Sequence, residues 1–314
     1  AEGSDDLRSA WQKTMDAWQV LEVLQIGPAG AAGPVVGGQD LRDEIYSWPT
    51  TNECRLDQEV VREGYKAEDF FQAQHPNVYG LDAMEYLLYA PPSHTECPSL
   101  LPIISDGSWA ALGDQEVERR RTEYAARLAD EVSRRAKALS AAWDPDQGDW
   151  GTALTTAGDD GSPYEDIRHA TDQIFGALFY MDTSVRDLKI GKPCGIIQCS
   201  EDTCPDSAES LWAHRGNANI AANIRAARSV MEAFGPWMED LSAGDMAAQM
   251  IADLDASLEA LEALPADVQV LAMDNPAPLR DLHAVLKKFT DQLKGPFVTV
   301  ANLRIPDEGS GDND

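Results

Sequence analysis

Two carboxylates one helical turn apart, Asp82 and Glu85, sit in the run Gly80-Leu81-Asp82-Ala83-Met84-Glu85-Tyr86, inside an otherwise apolar segment from Val78 to Tyr89. At about 100° per residue, Glu85 falls between Val78 and Leu81 on the apolar face of a helix, with Asp82 at its edge. A buried carboxylate has to be protonated, hydrogen-bonded, paired with a cation or bound to a metal. The i, i+3 spacing projects the pair to one side, so Asp82 and Glu85 are candidate metal ligands, completed by Glu22 or Glu53 from neighbouring helices. Oxygen-only ligands suit hard cations such as calcium, magnesium, manganese or ferric iron better than zinc. The competing reading is an ion pair in which Arg121 or Arg135 neutralises Glu85, on a helix that also places Glu131 and Arg135 at i, i+4.

Hydrolysis finds little support. A zinc peptidase needs His-Glu-x-x-His or an equivalent, and no such pair exists among His75, His94, His169, His214 and His283. No Gly-x-Ser-x-Gly elbow is present, and no Cys-x-x-Cys-His haem attachment. Neighbouring acids on one turn are poorly placed to face each other across a sugar. No catalytic residue is therefore assigned. Trp11, Trp18, Trp48, Trp143 and Trp212 are candidates for a ligand cleft, although helical spacing places most such residues in a core. His214 precedes a helix expected from Ala218, either at the surface or facing Glu85 or Glu53.

The elements that must position these groups are helical. Apolar residues at Leu7, Trp11, Met15, Trp18 and Leu21 give an amphipathic period over residues 5 to 26, closed by Gly27-Pro28. Glu22 interrupts that stripe four residues after Trp18 and is a second candidate buried acid. Further helical patterns cover Asp114 to Trp143, Glu165 to Leu188, Ala218 to Phe234, Ala247 to Leu261 and Ala277 to Leu293. Only Phe297-Val298-Thr299-Val300 has strand character. The Gly-, Asp-, Thr- and Pro-rich run from Asp144 to Pro163 reads as a linker. Across it the halves echo each other: Trp48 follows Gly27 by 21 residues, and Trp212 follows Gly191 by 21. A shift of 164 also superposes Leu24 on Leu188 and Ile26 on Ile190. The pattern predicts an all-α chain of two related up-down four-helix bundles in tandem, residues 1–150 and 151–314.

A net charge of −29 argues against nucleic-acid partners. No apolar run reaches the roughly 18 residues of a membrane span, so membrane association is expected only through an anchor absent from this chain. Five cysteines in an arrangement unlike a zinc ribbon suggest an oxidising compartment. One bridge is expected within Cys194, Cys199 and Cys204, and one from Cys54 to Cys97, among fifteen possible two-bond pairings. The end, Asp307 to Asp314, reads as a solvated tail rather than a calcium site.

The ordered set of segments resembles the imelysin-like family, which includes the insulin-cleaving membrane protease and iron-regulated proteins of bacterial envelopes. Trp18 to Gly27-Pro28 resembles the family's opening helix, and Trp48-Pro49-Thr50-Thr51-Asn52-Glu53 its Trp-Pro-x-x-x-Glu segment. Gly80 to Glu85 stands at its G-x-H-x-x-E motif, with Asp82 in place of the histidine. Asp187 to Pro193, Glu209-Ser210-Leu211-Trp212-Ala213-His214 and Asn223-Ile224 resemble segments of its second domain. The resemblance implies an exported protein of the bacterial envelope, periplasmic or outer-membrane-associated, with a ligand site near the interface of two bundles. It also implies a link to iron or other metal-ion uptake, with envelope uptake components as partners. The expected binding residues are Glu22, Trp48, Glu53, Gly80, Asp82, Glu85, Arg121 and His214, around a metal ion or small ligand. The alternatives are a metallopeptidase, or an interaction protein whose metal site has decayed with the loss of the imidazole.

Overall fold

A computed structural model describes residues 2 to 304, so the acidic tail Asp307 to Asp314 lies outside the described residues. Helix α1 (Glu2–Leu21) turns its apolar spacing into packing: Trp11, Met15 and Trp18 are buried. Trp11 Nε1 donates to the Leu81 carbonyl at 2.7 Å, which ties α1 to the segment carrying the carboxylate pair. The helix ends earlier than its period suggests. Leu21 is 57% exposed, and Glu22, at 1%, takes the inward position instead. A 3-10 turn, Gly27–Ala29, follows. Gly27 has a φ of 54°, and a Cβ there would lie 2.3 Å from Trp150 Nε1, so the linker tryptophan packs where only glycine leaves room.

The first half continues through α2 (Leu41–Ile45), α3 (Glu53–Arg62), α4 (Leu81–Tyr89) and α5 (Ser108–Trp143). Gly113, with a φ of 72°, breaks α5 one residue before the start expected at Asp114. One apolar core joins α1 to α5, from Trp11 to Val132. In the second half, α6 (Ile167–Leu178) leads into a π-helical stretch, Met181–Gly191. Three long helices follow, α7 (Gly216–Asp240), α8 (Gly244–Glu262) and α9 (Ala277–Gln292). They share a second core that runs from Phe175 to Leu303 and also takes in Val23.

Among the described residues no strand forms; the fold is all-α, with one isolated bridge between Ala32 and Val35. The strand expected over Phe297 to Val300 is instead a π turn, Leu293–Phe297, followed by a helical turn, Val298–Ala301. Phe297 is fully buried against Phe175, their ring centroids 4.7 Å apart. Tertiary packing outweighs the β preference of Val and Thr, which is worth only about 1 kcal/mol. The Asp144 to Pro163 segment is mostly irregular, with one short helix at Trp150–Thr155. Cys54 bonds Cys97 as expected, and Cys199 bonds Cys204, which leaves Cys194 as a buried thiol. No described helix is long and apolar enough to cross a membrane.

Candidate functional site

Gly80 sets the geometry. It precedes α4 with a φ of 99°, and a Cβ there would lie 3.0 Å from the Ile45 carbonyl oxygen, so glycine lets the helix start abut the end of α2. That contact delivers Ser47 to Asp82: the Ser47 amide donates at 3.3 Å and its hydroxyl at 3.2 Å. The Thr51 hydroxyl donates to the same carboxylate. Burial pushes the Asp82 carboxyl up to about 6, against the pull of these hydrogen bonds.

Glu85, one turn on, is 4% exposed. Its Oε1 accepts the backbone amides of Trp212 at 2.9 Å and Ala213 at 3.0 Å, both from the other half of the chain. Among the described residues no lysine or arginine pairs with it. Burial pushes its carboxyl up to about 7, against those amides. Glu53, at the start of α3, accepts the Trp212 indole N–H at 2.8 Å and is likewise raised to about 7 by burial. Trp212 thus donates to two acids at once, through its main chain and its ring.

The arginine reading of Glu85 is corrected by α5. Arg121 points into its own half, 2.9 Å from Asp57, 3.0 Å from the Tyr86 hydroxyl and 2.9 Å from the His94 carbonyl. Arg135 pairs with Glu131 at 2.7 Å and also with Glu44. Both guanidiniums lie with acids nearer to them than Glu85, and Arg121 is a structural residue rather than a wall of the site.

Glu53, Asp82 and Glu85 line one cleft of about 1120 Å³, together with Trp48, Trp212 and, exposed at its rim, His214. Glu22 lies elsewhere. Its carboxylate is fully buried between Arg42, at 2.6 Å, and Lys189, at 3.3 Å. Burial alone would raise it, but Lys189 and Arg42 outweigh that and hold it below the usual carboxylate range. Lys189 is itself inaccessible, 2.8 Å from each of Glu209, Gln19 and Asn223. Tyr46 donates its hydroxyl to Glu209 at 2.7 Å. Burial raises Glu209 in spite of Lys189.

Sequence reasoning found Glu22 as a buried acid but not the cluster around it. Arg42 was unmarked, and Lys189 entered only within the Asp187 to Pro193 segment, where its apolar neighbours alone hint that it is buried. Glu209 stands in a loop, where no period reveals an inward side chain. The matched spacing did carry a signal: Trp48, from the first half, has Lys189 Nζ 5.6 Å from its ring centroid, while the Trp212 ring lies against His94, centroids 4.6 Å apart and planes tilted by 58°. The two matched tryptophans each reach into the opposite half.

The donors do not fit a resident metal ion. Among the described residues no three His, Cys, Asp or Glu side chains gather as ligands. Asp82 and Glu85 accept from separate sets of donors, hydroxyls and the Ser47 amide for Asp82 and the Trp212 and Ala213 amides for Glu85. The arrangement offers desolvated carboxylates beside aromatic rings in an open cleft, which is the chemistry of binding a positively charged group.

The fold and site define an all-α protein with a polar cleft between two helical cores. The family model described as Imelysin, whose label also carries the word peptidase, matches residues 1–294, and the chain belongs to that family. Among solved structures it is similar to an imelysin-like protein from Psychrobacter arcticum 273-4, with a TM-score of 0.63 and 16% identity. That match covers 96% of this chain and 83% of the other, and it concerns the fold. No curated protein matches this chain.

Proposed function

We propose that this chain is an exported binding protein whose cleft takes up a cation or a small cationic ligand. The observation that carries the reading is a single one: Glu53, Asp82 and Glu85 line the same cleft, and among the described residues none of them forms an ion pair with lysine or arginine. Glu85 is the main anionic group, with Asp82 in place of the imidazole of the family motif. We read the cleft as the meeting place of two tandem bundles related by duplication, expected over residues 1–150 and 151–314. Two disulfides favour an oxidising compartment, consistent with a place in the bacterial envelope. A link to iron or other metal-ion uptake, with envelope uptake components as partners, is the role that family membership suggests. No group of three or more His, Cys, Asp or Glu side chains gathers as metal ligands among the described residues, so no zinc-peptidase donor set supports the peptidase reading.

Isothermal titration with calcium, manganese(II) and ferric citrate tests the reading on the wild type beside Asp82→His and Glu85→Ala. Saturable binding to the wild type that weakens at least about tenfold in Glu85→Ala is expected, the loss of one charge-assisted contact. Binding that arises only in Asp82→His would replace it with a decayed metal site. Chelator-sensitive cleavage of a denatured protein substrate would restore the peptidase reading.

A further inference from the structure

The cleft is far larger than an ion. At about 1120 Å³ it lies at the upper end of ligand pockets, which run to roughly 1,000 Å³. A hard cation wants about six oxygens drawn around one point, and no three ligating side chains gather among the described residues. Ser47 and Thr51 hold Asp82, while amides from the other half hold Glu85. Acids spread along a wall suit a ligand that spans the space.

The rest of the lining points to the ligand's chemistry. Trp48, Tyr89 and Trp212 are half-buried and border the same volume as the acids. Trp48 already serves as a platform for the Lys189 ammonium from the protein side. Aromatic faces and carboxylates together hold protonated amines and guanidiniums, since the acid takes the N–H groups and the ring takes the carbon body. Ser210 lines the cleft at 5% exposure, and its hydroxyl faces the Glu85 carboxyl, which it helps hold down against burial.

We infer that the ligand is a small organic cation carrying one or more protonated amine or guanidinium groups, rather than a bare metal ion. Glu85 and Glu53 are its charge partners, and Trp212, which donates to both, is its platform. This rests on the reading of the cleft as a cation site and narrows it.

The test is calorimetric titration of the whole chain with 1,4-diaminobutane and agmatine, beside neutral 1,4-butanediol and the chlorides of calcium and manganese. Expected are saturable binding of at least one of the two amines, no binding of the diol, and at least about a tenfold loss in both Glu85→Gln and Glu53→Gln. Glu85→Gln keeps an oxygen for the Trp212 and Ala213 amides, and circular dichroism of each variant checks that it is folded. Metal binding without amine binding overturns the organic-cation inference and leaves the cation cleft standing. No binding of any cation overturns both. Amine affinity equal to that of the diol, or unchanged in both variants, also overturns the inference.

Discussion

Glu85 combines a low exposure with a carboxyl raised from 4.5 to about 7, so its protonation is linked to folding. Between those two values the folded protein binds more protons at this residue than the unfolded chain does. The stability it contributes is therefore present below about 4.5 and is lost as pH rises through about 7. Glu85→Gln removes the dependence. Urea denaturation from pH 4 to 8 is expected to show the variant gaining on the wild type by up to about 3 kcal/mol across that interval. A constant difference would mean that Glu85 is solvated or paired after all. At this scale the sequence was legible where period and residue type agreed: Asp82 and Glu85 stand on one turn of a buried helix, as the pattern predicts, while Gly80, known from the motif, precedes it. It was illegible where a partner was a main-chain group, because the amides of Trp212 and Ala213 leave no mark in residue types.

At the scale of elements, the start of α4 depends on the approach of Gly80 to the end of α2. Gly80→Ala adds a Cβ at a φ of 99° and 3.0 Å from the Ile45 carbonyl. A cost of roughly 1–3 kcal/mol is expected, together with weaker cation binding as Ser47 shifts away from Asp82. Thermal unfolding and titration read the two effects separately. The long helices were visible as 3.6-residue periods, with the break before Asp114 marked by Gly113, whereas the shorter α2 and α3 gave no period that was read. The Phe297 to Val300 segment was misread because β-branched residues signal strand only weakly, and the burial of Phe297 decides its conformation. The end of α1 was misread for a related reason. Leu21 fits the apolar stripe, yet the acid beside it is the buried residue, because Arg42 and Lys189 reach it through contacts remote in sequence.

Across the whole molecule, Lys189 holds the halves together. It sits between Glu22 and Gln19 of the first half and Glu209 and Asn223 of the second, with no exposure. Lys189→Met leaves Glu209 without its cation, and breaking a buried pair in this way costs roughly 3–5 kcal/mol. Denaturant unfolding of Lys189→Met beside Lys189→Met with Glu209→Gln checks this, the double variant recovering part of the loss. Apart from Val23, the two cores fall on either side of the irregular Asp144 to Pro163 segment, which its composition marks. The ionic staple was not legible, since its partners are remote in sequence.

Trp48 and Trp212, matched in the repeat, cross over: each is rooted in one half and completes a charged group of the other. The arrangement makes the halves mutually dependent. A fragment cut at the linker would strand Glu85 without either of its amide donors and Lys189 without Glu22. The smallest competent unit is therefore the two halves together, since neither one alone holds every group that lines the cleft.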